Sequence, residues 1–401
     1  MAQSKDDAGK CEALRILHVM RAPVGGLFRH VADLARAQAA EGHYVGIVAD
    51  SLTGGEVAAR VFESLSPHLG LGVTRFPMRR LPHPDDLVVA WRVARLVQRL
   101  APDIVHGHGA KGGLYARLPA LAPLFPKPAH RPVRVYTPHG GSLHFRSDTL
   151  SGKIFFAAER MMGRVTDLTP FESDYARRRF IDAVGEPRAL APVVYNGLAP
   201  DEFAPATPIP DAADFLFVGE IRAAKGLAEL LQAFAALPTH LTLALVGSGP
   251  DEGAFRALSQ RLGLSDRIRF LNCMPTREAL RRGRILVVPS RAESLPYIVL
   301  EGIAAKAPIV ATRVGGVPEI FGDQAHRLVP PNDANALAAA MRDMLKTSRE
   351  ERQALADQMA HFVQSRFTLA SMNDGVLRGY RAAMALSRAT ASGGNRGAII
   401  A

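Results

Sequence analysis

The feature that most constrains this chain is a rhythm. Short apolar, β-rich runs alternate with stretches of helical period, and the alternation passes through the sequence twice. Leu14 to Met20 is the first run. A glycine-bearing turn follows, then Phe28, Val31, Leu34, Ala35 and Gln38 at the spacing of one helix face, then a second run from Tyr44 to Ala49 after Gly42. Strand, turn, helix, strand is the βαβ unit, since parallel strands need a crossover between them. The pattern continues through Ile104 to His106, Val133 to Thr137 and Pro192 to Tyr195, with Leu87 to Leu100 reading as a helix. Leu198 to Ala213, rich in proline, alanine and aspartate and without a sustained period, reads as a linker. After it the rhythm restarts with runs at Phe215 to Val218, Leu241 to Val246, Ile268 to Leu271, Ile285 to Val288, Ile309 to Ala311 and Arg327 to Val329. Helical pattern falls at Gly226 to Leu237, Asp251 to Leu262, Asn335 to Phe362 and Met372 to Leu386.

Two doubly wound, Rossmann-like α/β halves are therefore expected: one over 11–197, a linker over 198–213, a second over 214–370, a crossover helix over 371–387 and a disordered tail over 388–401. A length of 401 residues exceeds the usual reach of one hydrophobic core, in agreement with two domains. Ligands of such sheets sit beyond the carboxyl ends of the strands, so two facing halves would place a cleft between them.

The net charge of +11 favours polyanionic partners such as nucleoside diphosphates or anionic lipid headgroups. Aromatics make up 6% of the chain and no nucleic-acid-binding module appears, so no nucleic acid partner is expected. Cys11 and Cys273 are too few and too far apart for a disulfide framework or a metal knuckle, which fits a reducing cytoplasm. Met1 to Lys10 is polar, and no apolar run reaches the roughly 18 residues of a spanning helix, so membrane contact would be peripheral at the inner face.

The chemistry concentrates in Pro289 to Phe321, PSRAESLPYIVLEGIAAKAPIVATRVGGVPEIF. Ser294 is placed to cap a helix whose first turn holds Pro296, which leaves Glu293 in the preceding loop and Glu301 inside the helix. Glu301 stands among Ile298, Val299, Leu300, Ile303 and Ala304, where an unpartnered carboxylate is costly and a polyhydroxyl ligand would supply the partner. A second constellation is Phe217 to Leu231, FVGEIRAAKGLAELL, in which a strand ends at Gly219 and a helix opens after Lys225 and Gly226. Arg222 and Lys225 at such a helix start would meet a diphosphate together with the backbone N–H groups. His106 and His108 in DIVHGHG and His139 in YTPHGG stand at strand ends, but with no clustered carboxylate or cysteine they make a thin ligand set. No metal and no cofactor is expected, and His106 reads as structural.

The paired glutamates with Gly315, Gly316, Pro318 and Glu319, reading GGxPE, resemble the family 4 retaining glycosyltransferases of the GT-B fold, and the likeness extends over essentially the whole chain. The resemblance implies that Glu293 contacts hydroxyls of the transferred sugar and Glu301 the nucleotide ribose, with Ser294, Leu295, Pro296 and Tyr297 on the donor side. It implies that Lys225 and Arg222 bind the diphosphate beside Gly219 and Gly226. Here the sequence departs from the family's commonest pattern, since the residue after Gly219 is Glu220 and the arginine comes two positions later. Cys273 and Met274 fall where the family contacts the base. On the other half, the resemblance places Gly25, Gly26 and His139 along the cleft, brings His108 to the donor sugar, and matches Asn196 and Gly197 to a turn leading out of the first domain.

The implied reaction is metal-independent transfer with retention from a nucleotide diphosphate sugar to a glycan or lipid-linked acceptor, in surface polysaccharide or glycoconjugate synthesis. Attack comes from the leaving-group face, and Glu293 orients rather than attacks. Basic residues at Arg75, Arg79, Arg80, Arg92, Arg95, Arg99 and Arg177 to Arg179, with Tyr175 and Phe180, suggest an anionic membrane contact for the acceptor-binding half. A nucleotide-sugar epimerase on the same scaffold and a non-catalytic sugar-nucleotide binding module remain as alternatives. A dinucleotide dehydrogenase is disfavoured because G-x-G-x-x-G is missing after the first strand.

Overall fold

The computed structural model describes residues 12–140 and 149–391. Cys11, Gly141, the segment Met1 to Lys10 and the tail after Ala391 lie outside the described residues. The chain forms two compact units, one reaching to Phe171 and including Arg179–Pro192 and the chain from Asn373, the other comprising Glu172–Arg178 and Val193–Met372. No helix among the described residues is long and apolar enough to cross a membrane.

The first unit is built on a parallel sheet of β1 (Arg15–Met20), β2 (Tyr44–Asp50), β3 (Gly72–Phe76), β4 (Ile104–His108) and β5 (Val133–Thr137), in the order β3-β2-β1-β4-β5. Its crossovers include α1 (Gly25–Ala40), α2 (Gly55–Leu65), α3 (Asp85–Leu100) and α4 (Gly109–Arg117), followed by α5 (Leu150–Met162) and α6 (Asp174–Val184). Ile47, Val45, Phe28, Val31 and Phe62 pack one face of the sheet with α1 and α2, while Leu17, Val19, Val93, Val97 and Val105 pack the other with α3. The strand at Gly72–Phe76 is half-buried and mixes Thr and Arg with its apolar residues, so it gave no apolar run to read.

The second unit repeats the plan with β6 (Ala213–Val218), β7 (Leu243–Val246), β8 (Ile268–Leu271), β9 (Gly283–Val288) and β10 (Ile309–Ala311), in the order β10-β9-β6-β7-β8. Counted within the unit this is the same parallel order as the first sheet, the arrangement of a Rossmann half. The helices α7 (Leu227–Ala235), α8 (Glu252–Arg261), α9 (Thr276–Leu280), α10 (Tyr297–Ala304), α11 (Val317–Phe321), α12 (Ala334–Lys346) and α13 (Arg349–Arg366) surround it.

Four expected elements differ. Pro192 to Tyr195 and Arg327 to Val329 form no strand. In the first run the Pro192 carbonyl accepts from the Phe171 N–H at 2.9 Å, and in the second Val329 makes an isolated bridge with Thr312. The helical pattern over 335–362 divides at Thr347. There Ser348 accepts from the Glu351 N–H and the Glu351 carboxylate accepts from the Ser348 N–H, a capping box that starts a new helix. Finally α14 (Leu369–Ala391) runs past 387, so the expected tail begins in helix, and the short segment Glu172–Arg178 groups with the second unit.

Candidate functional site

In both sheets the strand order reverses beside the first strand of the unit, and ligands of such folds sit outside the carboxyl ends of the strands at that switch. In the second unit the switch lies between β6 and β9. The loop after β6 carries Arg222 and Lys225, and the loop after β9 carries Glu293. Lys225 Nζ donates to Glu293 Oε1 at 2.7 Å, and Ser290 Oγ donates to the same oxygen at 2.7 Å. The sequence-predicted phosphate and sugar residues thus meet side chain to side chain. Arg222 is half-exposed and approaches Glu220 at 3.5 Å, so the acidic residue that departs from the family pattern sits against the arginine.

Backbone packing sets this geometry. Gly226 caps α7 at φ +71, and a Cβ there would lie 1.8 Å from the Pro289 carbonyl oxygen, so only glycine lets the two loops approach. The Arg291 N–H donates to the Ala224 carbonyl, and Asp251 accepts from the Ala223 N–H at 2.7 Å, which holds the short 3-10 turn Ala223–Lys225 from the β7 side. Gly315, at φ +56, brings its backbone against the Glu293 carbonyl, where a Cβ would stand 1.9 Å away. The GGxPE segment therefore supports the Glu293 loop from below. Its Glu319 carboxylate accepts from the N–H groups of Asp174 and Tyr175 at 2.9 and 2.8 Å, capping the start of α6.

Several predicted residues act differently from expectation. The helix starts at Tyr297 with Pro296 as its cap residue, not at Ser294. Ser294 Oγ donates to Glu172 Oε1 at 2.5 Å, which draws it away from the helix end. Leu295, Pro296 and Tyr297 turn their side chains into the core, so only their backbone faces the loop side. Glu301 lies in the second turn of α10 at 8% exposure and is not left without a partner. Cys273 is exposed with Sγ 3.1 Å from Ser248 Oγ, joining the loops after β8 and β7, and Met274 packs against the core edge. Asn196 is buried and donates from Nδ2 to the Leu295 carbonyl at 3.0 Å, making its turn a strut for the same loop.

In the first unit Gly25 and Gly26 are exposed and open α1, with Gly25 at φ +64. The histidines form a larger group than the sequence indicated. His18 on β1 pairs in register with His106 on β4, and the same sheet face carries His108 and Thr137. His18 Nε2 meets Gln38 Oε1 at 2.9 Å, His18 Nδ1 meets His108 Nε2 at 2.9 Å, and His108 Nδ1 meets His139 Nε2 at 3.0 Å. His106 is held between the Tyr380 hydroxyl and Thr137 Oγ1. Burial pushes His18 down to about 4 and His139 to about 3, and holds His106 and His108 well below the usual imidazole range, so the rings are neutral near pH 7. The His108 ring is 1% exposed and both of its nitrogens are engaged inside the unit. His18, His106 and His108, and likewise His30, His108 and His139, bring three ligand nitrogens within 4.8 Å. Among the described residues no carboxylate or thiolate accompanies them to offset an ion's charge, and the closest nitrogens are at hydrogen-bond separation.

Sequence reasoning missed Asp251, Ser248 and Glu172, which act through partners distant in the chain, and Ser290, which stands three residues before its partner Glu293. It also missed His18 and Gln38. A polar residue at an inward position of an apolar strand was the available signal for His18.

Comparisons with known proteins bear on the family and the fold. Residues 24–202 match the family described as Glycosyltransferase Family 4, and residues 201–361 match Glycosyl transferases group 1. A glycogen synthase of Mycobacterium tuberculosis is 28% identical over 352 residues, covering 80% of this chain and 83% of that protein. Among solved structures, sucrose-phosphate synthase from Thermosynechococcus elongatus superposes with a TM-score of 0.76 at 18% identity, over 92% of this chain and 99% of the other. Alr3699/HepE of Anabaena, solved with UDP-glucose, gives a TM-score of 0.76 at 18% identity over 92% of this chain and 100% of the other.

Proposed function

Because the chain belongs to glycosyltransferase family 4 and has the GT-B architecture of two Rossmann-like domains, we propose that it transfers a sugar, with retention and without a metal, from a nucleotide diphosphate sugar to a glycan or lipid-linked acceptor in surface polysaccharide or glycoconjugate synthesis. The observation that carries this reading is the Lys225–Glu293 pair at the switch between β6 and β9. A donor diphosphate takes the Lys225 ammonium, and Glu293, released from it and still held by Ser290, turns to the sugar hydroxyls. Arg222 adds positive charge where the leaving diphosphate develops its own, the term that dominates in transferases of charged leaving groups. Glu301 receives the ribose, and the Cys273–Ser248 loops receive the base. That a relative of the same fold was solved with UDP-glucose supports a donor of this class.

The acceptor belongs to the first unit. There the outward side of α3 exposes Leu87, Val88 and Trp91 beside Arg92, Arg95 and Arg99, with Leu81 at 73% exposure and Arg79 and Arg80 nearby. Apolar anchors among arginines suit an anionic membrane surface carrying a lipid-linked acceptor. Arg75 and Phe180 take no part. Arg75 donates to the carbonyls of Asp50 and Thr53, and Phe180 is buried.

A thermal-shift screen against nucleoside diphosphates and their sugars tests the donor, since a ligand at 100 times its Kd adds about 2.7 kcal/mol. The matching donor is then offered to candidate acceptors with excess chelator present. Transfer with the donor's anomeric configuration kept supports the reading, whereas inversion, loss of turnover on chelation, or donor consumed without nucleotide release overturns it.

A further inference from the structure

The amino edge of the first sheet gathers cations that the fold supplies with too few anions. β5 brings Arg134 to this edge as its second residue, Arg131 stands two residues before the strand, and Arg164 lies in the 3-10 turn Gly163–Val165 after α5. With Lys127 they line a cavity of about 400 Å³ whose walls hold no carboxylate. Asp167 is the neighbouring acid, and both of its oxygens are engaged. Oδ1 accepts from Arg131 at 2.7 Å and Oδ2 accepts from the Arg134 backbone N–H at 2.9 Å. Arg131 also donates to Ser387 Oγ at 3.1 Å, and Lys127 Nζ donates to the carbonyls of Pro119 and Ala122. The guanidinium groups of Arg134 and Arg164 make no hydrogen bond or ion pair with any described residue.

Arg134 is the informative member. Arg164 is exposed and follows the carboxyl end of a helix, where the backbone dipole favours a cation, so its position alone decides nothing. Arg134 is half-buried on a strand, without that explanation. Burial, and then the like charge of Arg131, push its pKa down to about 10, and Asp167 offsets this only in part. A cation held there costs stability until an anion reaches it. Its planar fork of N–H donors, unused by the protein, matches the oxygens of a phosphate. The cations continue beyond the cavity. Arg164 also lines a neighbouring one of about 560 Å³ with Arg160 and Arg188, where Glu159 is taken by Arg117 and Tyr136 and the other acid is Glu186.

We propose that the cavity framed by Lys127, Arg131, Arg134 and Arg164 binds a phosphate dianion, carried by a soluble phosphomonoester or by the headgroup of an anionic lipid. Four cations against one engaged carboxylate exceed what a single carboxylate ligand would balance, whereas a phosphomonoester brings a charge of about −1.5 to −2 and three acceptor oxygens. Ligands of the reaction itself belong at the carboxyl ends of the strands, and this cavity lies at the amino edge of its sheet. The site therefore goes beyond glycosyl transfer and does not depend on it.

Calorimetric titration with glycerol 3-phosphate tests the site in solution. Arg134→Met keeps the aliphatic stem and removes the fork, and it should weaken binding about ten- to hundredfold. Arg164→Gln, at an exposed position that leaves the fold undisturbed, should weaken it by roughly three- to tenfold. Lys225→Ala should leave it unchanged, and both arginine variants should keep the parent's affinity for nucleoside diphosphates. In phosphate-free buffer Arg134→Met should melt no lower than the parent, because a charge without a counter-ion has been removed. Binding that survives both arginine variants, or that is lost in Lys225→Ala, overturns the proposal, as does an Arg134→Met protein that melts clearly lower without phosphate.

Sedimentation with phosphatidylcholine vesicles containing phosphatidic acid separates the two sources. Vesicle binding that falls in Arg134→Met and Arg164→Gln assigns the headgroup. Glycerol 3-phosphate bound in solution, with vesicle binding absent or indifferent to both variants, assigns a soluble phosphomonoester. If glycerol 3-phosphate does not bind and any vesicle binding is indifferent to both variants, the cavity holds no phosphate and the proposal fails.

Discussion

The two units share one strand order and put opposite chemistry at the same place in it. In the second, the interior beside β6 and β9 is apolar, and the charged groups stand on loops beyond the strands, with Lys225 and Glu293 only partly buried. In the first, the polar groups occupy the sheet face itself: His18, His106, His108 and Thr137 lie under α1 and α14, with Gln38 and Tyr380 closing the set. Loop charges suit a ligand that arrives charged and leaves charged. A neutral buried chain suits a fixed orientation that must not attract a counter-ion.

The contrast is sharpest in acid. An imidazole neutral in the folded state and free to charge near pH 6.5 when unfolded supports folding fully above that pH, and the support is lost as pH falls toward the lowered folded value. At pH 5.5 each such ring costs on the order of 1 kcal/mol, so His18, His106, His108 and His139 together take several kcal/mol from the first unit. The second unit's His240, His326 and His361 are exposed. Trp91, the single tryptophan, lies on α3 and reports the first unit alone. Urea unfolding followed by its fluorescence should move to markedly lower midpoints between pH 7.5 and 5.5, while the amide protection factors in β6, β7 and β9, taken against the intrinsic exchange rate at each pH, stay nearly constant. Equal loss in both units would erase the distinction.

Next in size is Lys225→Ala. Removing a preorganised cation from a developing diphosphate should lower kcat/KM by about 10²- to 10³-fold, roughly 3 to 4 kcal/mol, in a protein that stays folded. Glu293→Ala should be similarly damaging, and because the two side chains touch at 2.7 Å the double variant should fall well short of the product of the singles. If His139→Ala cost as much as Lys225→Ala, the first unit would be carrying the charge chemistry assigned here to the second.

How much was legible follows from the same difference. Lys225, Glu293 and the GGxPE turn each stand in a short contiguous motif, although Lys225 and Glu293 meet across 68 residues. The doubly wound plan was legible for a related reason, since each βαβ unit writes its own period into the chain. His18 was hidden because a strand of five buried residues around one histidine reads as an apolar run. Gln38, on a helix, and Tyr380, more than 270 residues from His106, meet their partners only through the fold. Ser294 misled for the converse reason: a good cap residue stood before a helix, but Glu172 took its hydroxyl, and the helix began three residues later.

A smaller effect separates motif from support. Glu319 is written in the same motif as the donor loop, yet its carboxylate serves the backbone of Asp174 and Tyr175. Glu319→Ala should therefore cost about 1 to 2 kcal/mol of second-unit stability through the lost cap, with faster exchange at those two amides. Nucleotide affinity should change little. A large loss of affinity with the amides still protected would move Glu319 into the ligand site.

The smallest expected effect tests where the base lies. Cys273 is an exposed thiol hydrogen-bonded to Ser248, so it offers the base a weak donor and a little surface rather than a charge. Cys273→Ala should weaken nucleoside diphosphate binding by less than about threefold, within 0.5 to 1 kcal/mol for one weak hydrogen bond. Occupancy is the more sensitive readout. Bound nucleotide should slow alkylation of Cys273 in proportion to saturation, because the loops after β7 and β8 then lie under the base. Alkylation that proceeds at the same rate with nucleotide bound would put the base elsewhere on the second unit, leaving the diphosphate grip of Lys225 as the part of the donor site that still stands on its own geometry.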